Sequence, residues 1–455
     1  MKRMKQASKY MLEGPLLPGI IRYTIPIILT SVLQLLFNAT DLVVVGMYCG
    51  SVCVGAVGAT NSVTNLLVNL FIGLSVGAGV SVAHGMGSRN DEEVQNTVHT
   101  AIMTALLGGA ILTVVGVFCS EPLLRLMGTP EETLPLSALY MKIFFGGITF
   151  NMVYNYGASI LRASGDTKSP LIYLCMSGVI NVVLNVIFIT VFGMSVDGVA
   201  LATVIAIAFS ATCVTRALMR RTDCCRLELK KLKIHPVQLR KIIRIGLPAG
   251  IQGSLFSISN VIVQSSVNSF GDVFVAGNSA SASIEGFMYV MLNAFQQATV
   301  NFVGQNVGAR QYRRANKTVW LCFGCVIVVG LSMGALICTF GEQLLGIYIK
   351  DSPQAIADGM IRLTFMSIPY FIIGLMEIST GALRGYGASM IPMIVSILGV
   401  CGIRLGWIYT VFQIPQFHTP QSLYLSYPVS WSVTFIVQFI FFLLLVKKYP
   451  KSEHL

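Results

Sequence analysis

Charged side chains are scarce in this sequence. Of its 455 residues, 11% are charged and 54% are hydrophobic, and the mean hydropathy is +0.74. A soluble globular domain carries about 25% charged residues, so this chain lacks the polar surface that water requires. We therefore expect an all-α membrane protein whose main solvent is lipid.

The chain also lacks the usual signatures of catalysis and metal binding. It contains no HExxH sequence, no Gly-rich loop that ends in lysine, and no Cys/His spacing that suits zinc. The eleven cysteines are scattered, mostly within apolar segments, where a free cysteine behaves as a small apolar side chain. We expect no enzymatic activity, no metal site and no resident cofactor.

Hydrophobic runs long enough to cross a bilayer are abundant. A membrane helix needs roughly 20 mainly apolar residues, and charged or Gly/Pro-rich segments divide the sequence into twelve such runs. We therefore predict twelve transmembrane helices, near 17–46, 54–84, 95–119, 134–162, 168–192, 196–219, 242–270, 274–306, 315–340, 355–384, 389–413 and 422–447.

Basic residues collect on one side of this predicted topology. With the amino terminus inside, 26 of the 31 Lys and Arg residues fall on the inner side. Only Arg125, Lys142, Lys350 and Arg362 fall outside, and Arg404 falls within a span. The positive-inside rule then predicts a multi-pass protein of the plasma membrane with both termini in the cytoplasm. Clusters of this kind suit lipid headgroups, so the net charge of +12 does not indicate a nucleic-acid partner.

The two halves of the chain resemble each other at an offset of 222 residues. "IRYTIP" (21–26) matches "IRIGLP" (243–248), and "LRASGDTKSP" (161–170) matches "LRGYGASMIP" (383–392). Because each half contains six predicted spans, both enter the membrane from the same side. This predicts two six-helix lobes related by a pseudo-twofold axis near the membrane normal. We expect an amino-terminal lobe at 1–219, a basic cytoplasmic linker at 220–241 and a carboxy-terminal lobe at 242–455. A static duplicated bundle is the alternative to a transporter with alternating access.

Asp41 is an unusual residue for its surroundings, since it lies inside the first apolar run, in "QLLFNATDLVVVG". An ionisable residue within a membrane span is costly and is usually functional, and the second half has Val263 at the equivalent position. Burial favours the neutral form of a carboxyl group, which lets it exchange protons near neutral pH. Nearby spans offer amide and hydroxyl oxygens, at Asn155, Asn181, Asn185 and Thr203. We predict a cation-coupling site formed by these five residues, for a proton or for sodium. A purely structural hydrogen bond of Asp41 is the alternative.

Other polar and proline residues within spans extend this prediction. Pro26 removes a hydrogen bond from the first helix and invites a kink, so it is a candidate hinge, although Pro248 repeats the feature and a fold-level kink is equally consistent. In the second half, Glu285, Glu377 and Arg404 lie within spans. Either Arg404 forms a structural pair with a glutamate, or at least one glutamate contacts substrate or ion.

Several segments resemble the MATE (multidrug and toxic compound extrusion) transporters. They are the first span with its proline and late aspartate, "LRASGDTKSPLIYLCMSGVINVVLN" followed by "VDGVALAT", "GLPAGIQ" with "VGQNVGARQYRRA", and "LRGYGASMIPM". The resemblance covers nearly the whole chain. It implies an antiporter that moves H⁺ or Na⁺ inward and organic compounds outward, with a first-lobe site similar to Asp41, Asn181 and Thr203.

The chain departs from that resemblance at Asn185, where many relatives carry an aspartate. A single acid suits proton exchange, so we favour H⁺ over Na⁺ as the coupling ion. The expected substrates are small organic compounds, cationic amphiphiles above all, and we expect a monomer surrounded by membrane lipids. A lipid-linked sugar or lipid flippase of the same broad superfamily is the alternative function.

Overall fold

The computed structural model describes residues 10–49, 51–126, 129–350 and 352–450, and within them the regular secondary structure is entirely helical. Helices suit a lipid environment because they satisfy their own backbone hydrogen bonds. The helices are α1 Leu16–Cys49, α2 Ser51–Gly87, α3 Asp91–Leu126, α4 Leu134–Gly146, α5 Ile148–Ala163, α6 Lys168–Thr190, α7 Val196–Met219, α8 Pro236–Asn268, α9 Asp272–Gly308, α10 Tyr312–Tyr348, α11 Pro353–Ser367, α12 Tyr370–Gly385, α13 Met390–Ser396, α14 Arg404–Tyr409 and α15 Pro420–Val446. A π-helix, Ile397–Ile403, joins α13 to α14.

Twelve spans follow from these helices. Nine helical segments of the described residues are long and apolar enough to cross a membrane, and the bent pairs α4–α5 and α11–α12 add two more. The twelfth is α9, whose 37 residues are long enough for a span but include many amides and Glu285. Because α9 buries most of this polar face against α10, α11 and α12, it needs less apolar surface than a lipid-facing helix. The predicted all-α fold with twelve spans is confirmed.

The internal repeat is visible in the backbone. Arg89 and Arg310, which are 221 residues apart, both adopt left-handed backbone angles, with φ values of 55° and 60°. Gly165 and Gly387, which are 222 apart, have φ values of 88° and 84°. Non-glycine residues rarely adopt positive φ, so this agreement at matched loops is strong support for a duplicated structure. The two bent spans are also equivalent in the repeat and bend by similar angles, 49° and 46°.

The described residues form two compact units. The main body of the first is Ile25–Ser254, and the second contains Gly14–Thr24 and Leu255–Leu455. The first unit therefore extends past residue 242, where the carboxy-terminal lobe was predicted to begin. Its continuation along α8 is held by glycines, since a Cβ on Gly73 would lie 2.1 Å from the backbone nitrogen of Gly250. Only glycine permits this approach, which fastens the first half of α8 to α2.

The segment between α7 and α8 is docked on the first unit. Cys225 and Leu227 belong to that unit's buried apolar core. The imidazole Nε2 of His99 on α3 accepts a hydrogen bond from the backbone N–H of Glu228 at 3.1 Å, and the Thr100 hydroxyl accepts one from the N–H of His235 at 3.0 Å. Part of the predicted polar linker is therefore a packed strap, and residues 236–241 already belong to α8.

Candidate functional site

Four of the predicted site residues form one hydrogen-bonded chain in the first unit. The amide Nδ2 of Asn185 donates to Asp41 Oδ1 at 2.6 Å and lies 3.3 Å from Asn181 Oδ1. Asn181 Nδ2 in turn donates to the Thr203 hydroxyl oxygen at 3.2 Å. The chain joins α1, α6 and α7, so residues far apart in sequence meet at one place.

Helical spacing explains why this chain can form. Asn181 and Asn185 are four residues apart on α6, so they project from the same face, and both are buried. Thr203 donates its own hydroxyl proton to the carbonyl of Val199 at 3.0 Å, which orients its oxygen as an acceptor for Asn181. The Asn181 and Asn185 amides and the Thr203 hydroxyl thus all donate hydrogen bonds, and Asp41 is the acceptor at one end of the hydrogen-bonded chain.

The charge of Asp41 has no basic partner. Among the described residues, Asn185 is the side chain that hydrogen-bonds this partly buried carboxyl group, and no lysine or arginine acts on it. The Oδ1 atom of Asn185 is also buried, and none of the residues that the structure describes donates a hydrogen bond to it. A carboxyl group in such surroundings can bind a proton. For a sodium ion, the available ligands would be the oxygens of Asp41, Asn181, Asn185 and Thr203, which are the hard ligands that such a cation prefers.

Asn155 is not part of this chain. Its Nδ2 donates to the carbonyl oxygen of Asn151 at 2.9 Å and to the side-chain oxygen of Asn151 at 2.6 Å, within α5. The amide is therefore committed to its own helix in this conformation. Its predicted contribution to cation coupling stays a prediction.

Pro26 lies inside α1, fifteen residues before Asp41 on the same helix. The Thr30 hydroxyl donates to the Pro26 carbonyl at 2.7 Å, which supports the helix close to the proline. Pro248 lies inside α8 at the equivalent place in the repeat. The part of α1 up to Thr24 belongs to the second unit, and the part from Ile25 onward belongs to the first, so the boundary lies next to Pro26. The predicted hinge role is compatible with this position and stays a prediction.

Glu285 is paired in the second unit with a residue that sequence reasoning missed. Arg362 on α11 donates from Nε and Nη2 to the two carboxylate oxygens of Glu285, at 3.0 and 2.7 Å. Its Nη1 donates to Asn278 at 2.7 Å, and the Tyr424 hydroxyl donates to the same oxygen at 2.9 Å. The topology rule put Arg362 with the outer basic residues, but its side chain is only 12% exposed. No periodicity in the sequence could have joined two residues 77 positions apart.

Glu377 and Arg404 occupy separate positions in the same unit. Glu377 on α12 accepts a hydrogen bond from the Gln296 amide of α9, and Arg384 acts electrostatically on its charge. The guanidinium carbon of Arg404 lies 3.9 Å from the centre of the Tyr427 ring. Of the two interpretations left open, a glutamate–Arg404 pair is absent from the described residues, because the partner of Glu285 is Arg362.

The fold and these sites define a class of protein, namely a helical, multi-pass membrane transporter built from a duplicated six-span unit. A family model described as MatE matches the chain twice, at residues 26–187 and 248–410, and the starts of the two matches are 222 residues apart. The chain belongs to the MatE family.

Known proteins share this architecture over nearly the whole chain. The probable multidrug resistance protein YoeA of Bacillus subtilis is 26% identical over 434 residues, which cover 94% of this chain and 93% of that protein. The probable multidrug resistance protein YpnP of the same organism is 28% identical over 404 residues, covering 86% and 87%. An outward-facing multidrug resistance MATE family transporter of the MOP superfamily superposes with a TM-score of 0.90 at 22% identity, covering 98% of this chain and 99% of that one. This last likeness concerns the fold.

Proposed function

We propose that this transporter is a cation-coupled antiporter that exports small organic compounds by alternating access, with H⁺ as the coupling ion. The observation that carries the proposal is the hydrogen-bonded chain of Asp41, Asn185, Asn181 and Thr203. In it, a carboxyl group within an apolar span has an amide donor and, among the residues described, no basic partner. Neutralisation of this acid by a proton changes the net charge of the span, whereas neutralisation of an ion-paired acid would leave an arginine unpaired.

The amide chain supports an alternation between proton and substrate. Asn185 donates to the ionised carboxylate, and charge-assisted hydrogen bonds of this kind are stronger than neutral ones. A proton bound to Asp41 weakens that interaction, so the two states differ in the contacts that join α1 to α6. Such a differential contact is what any ligand-driven conformational change requires.

Proton coupling supplies enough free energy for export. Exchange of one proton for a monovalent organic cation moves no net charge, so each unit of pH difference supplies about 1.4 kcal/mol and supports about a tenfold gradient. Exchange for a compound without net charge also uses the membrane potential, which adds about 2.3 kcal/mol per 100 mV. Sodium could bind to the same oxygen atoms, but the candidate site contains a single carboxylate, that of Asp41, and this favours the proton.

The proposed substrates are cationic amphiphiles, because an ionised Asp41 attracts a cation and because the named relatives are multidrug resistance proteins. We further propose that the protein acts as a monomer in the plasma membrane, with both termini in the cytoplasm. The basic residues support that orientation, since a topology with the amino terminus inside assigns 26 of the 31 Lys and Arg residues to the cytoplasmic side.

The test is efflux of ethidium and norfloxacin from proteoliposomes. The wild-type protein should export both compounds with a proton gradient alone and not with a sodium gradient alone. Asp41→Asn should reduce proton-driven export to the rate of empty vesicles while the protein stays folded. Asp166→Asn is a matched control, because Asp166 accepts hydrogen bonds from Ser169 at the beginning of α6 and, among the described residues, makes no hydrogen bond to Asp41, Asn185, Asn181 or Thr203.

Two results would contradict the proposal. Proton-driven export that persists in Asp41→Asn would show that the coupling group is elsewhere. Export that requires sodium would reject the proton as the coupling ion and leave the Asp41 site as a sodium site.

A further inference from the structure

Arg404 is a buried cation that has no acidic partner among the residues that the structure describes. It begins α14 and is only 3% exposed. Its Nη2 lies 3.5 Å from the Ser430 hydroxyl, which is at the limit of a hydrogen bond, and its Nε has no hydrogen-bond partner among the described residues. Its guanidinium carbon lies over the face of the Tyr427 ring, 3.9 Å from the ring centre.

The surrounding charges leave this part of the second unit positive. The other arginine nearby, Arg362, is neutralised by Glu285 through two hydrogen bonds. Arg362 also repels the charge of Arg404 electrostatically. Together, Arg362, Arg404 and Glu285 carry a net charge of +1. Ionisable residues inside membrane proteins are almost always paired with an opposite charge or lie along a substrate pathway.

The local backbone and the aromatic residues give the site a shape. Arg404 directly follows the π-helix Ile397–Ile403. Although π-helical turns are rare in proteins, those that occur are often found at functional sites. Trp431 packs edge-on against both Tyr370 and Tyr427, with ring centres 5.5 and 5.7 Å apart. The guanidinium group lies on the face of one ring of this three-ring cluster. Such an arrangement matches a planar aromatic compound that carries a carboxylate, because a guanidinium group binds carboxylates bidentately and aromatic rings stack.

We propose that Arg404, with Tyr370, Tyr427 and Trp431, is an anion site of the second unit that binds the carboxylate of an aromatic organic substrate. This inference rests on the proposed function, since it identifies the compounds that the exporter prefers. The compounds that we expect to prefer this site carry a carboxylate in addition to an amine. Such zwitterions move one net charge when exchanged for a proton, so the membrane potential contributes to their export.

The experiment compares three compounds on the purified full-length protein. Norfloxacin carries an aromatic carboxylate and an amine, its methyl ester keeps the amine and lacks the carboxylate, and ethidium is a cation without a carboxylate. Wild-type protein should bind norfloxacin at least about tenfold more tightly than the ester, the size expected for one charge-assisted contact. Arg404→Gln should bring the two affinities within about twofold, and Arg404→Lys should retain part of the difference. Ethidium binding and export should be unchanged in both variants.

Arg125→Gln is the control variant, because Arg125 is exposed and its ion pairs within the described residues are with Glu121 and Glu131. It should bind norfloxacin and the ester like the wild type. If Arg404→Gln fails to fold, the comparison of acid and ester on the wild-type protein and on Arg404→Lys still decides the matter.

The outcomes separate this inference from the proposed function. Equal affinities of wild-type protein for acid and ester overturn the anion site, and so does an Arg404→Gln variant that weakens both compounds equally, since that indicates a structural arginine. A thermal shift with chloride that Arg404→Gln abolishes, without discrimination of acid from ester, overturns the organic ligand in favour of an inorganic ion. Absence of proton-driven ethidium export refutes the proposed function instead, whatever the acid and ester show.

Discussion

Removal of one partner from the Glu285–Arg362 pair should destabilise the second unit severely. The two side chains are 4% and 12% exposed and share hydrogen bonds of 2.7 and 3.0 Å. The change Glu285→Gln keeps the shape and one acceptor but leaves Arg362 without a counter-charge. Because Arg404 repels Arg362 as well, the variant would bury two positive charges that no carboxylate compensates.

The geometry sets the size of the effect. Two unit charges 2.7 Å apart attract by about 6 kcal/mol at an effective dielectric constant near 20. Part of that is lost because water can relax around the orphaned charge, and measured losses for one partner of a buried pair are about 3–5 kcal/mol. We expect this loss for Glu285→Gln and for Arg362→Met. The double variant should lose much less than the sum, because it buries no unpaired charge at this position.

The assay is a double-mutant cycle on the free energy of unfolding in detergent. The exposed pair of Glu121 and Arg125 serves as control, and Glu121→Gln should change stability by less than about 1 kcal/mol. Additive losses in the cycle would refute the pairing. A Glu285→Gln variant that is as stable as wild type but no longer exports would give Glu285 a direct role in substrate or ion binding instead, which is the interpretation that its position in a span also allows.

Two further predictions concern the strap between α7 and α8. His99→Ala should accelerate tryptic cleavage between residues 226 and 233, because it removes the acceptor for the Glu228 N–H, whereas His418→Ala, remote in sequence from the strap, should leave the cleavage rate unchanged. Although burial alone raises the pKa of Asp223, the hydrogen bond and charge of Arg221 outweigh it and hold that pKa below its ordinary value of 3.8. A lowered folded-state pKa stabilises the protein above the ordinary value and loses its effect as the pH falls through the folded value. Asp223→Asn should therefore lower the melting temperature at pH 7, with a deficit that shrinks below about pH 4; a deficit independent of pH would contradict the ion pair.

Periodicity and composition predicted the spans well because a lipid-facing helix needs a long apolar run. The exception in composition is α9, which fails a hydropathy criterion but belongs to the bundle because its amides are buried against neighbouring helices. The bends within the fourth and tenth spans could not be predicted from hydropathy, since both halves of each span are apolar. The repeat was readable because matched loops need matched backbone angles, as Arg89 and Arg310 show.

The candidate site was predicted in part for a similar reason. Asn181 and Asn185 lie on the same face of one helix, so a residue that contacts one of them is also close to the other. Asn155 lies on a helix whose rotation the sequence does not define, and its amide bonds to Asn151 instead. The Glu285–Arg362 pair depends on how α9 packs against α11, which no local pattern specifies. The docked strap was missed because its apolar residues are too few to form a periodic signal.

The buried charges differ between the two units, and this difference explains why the proposed proton site is in the first unit. In the second unit, Glu285 is paired with Arg362, and Glu377 lies in the field of Arg384. Protonation of either glutamate would leave a buried arginine with less compensation, and this cost opposes proton binding there. In the described part of the first unit, Asp41 accepts a hydrogen bond from an amide and has no cationic partner. A proton at Asp41 removes a costly charge from an apolar span and creates none. In the proposed mechanism, the proton and the organic cation compete for this one carboxylate, so each would exclude the other and antiport would follow from that competition.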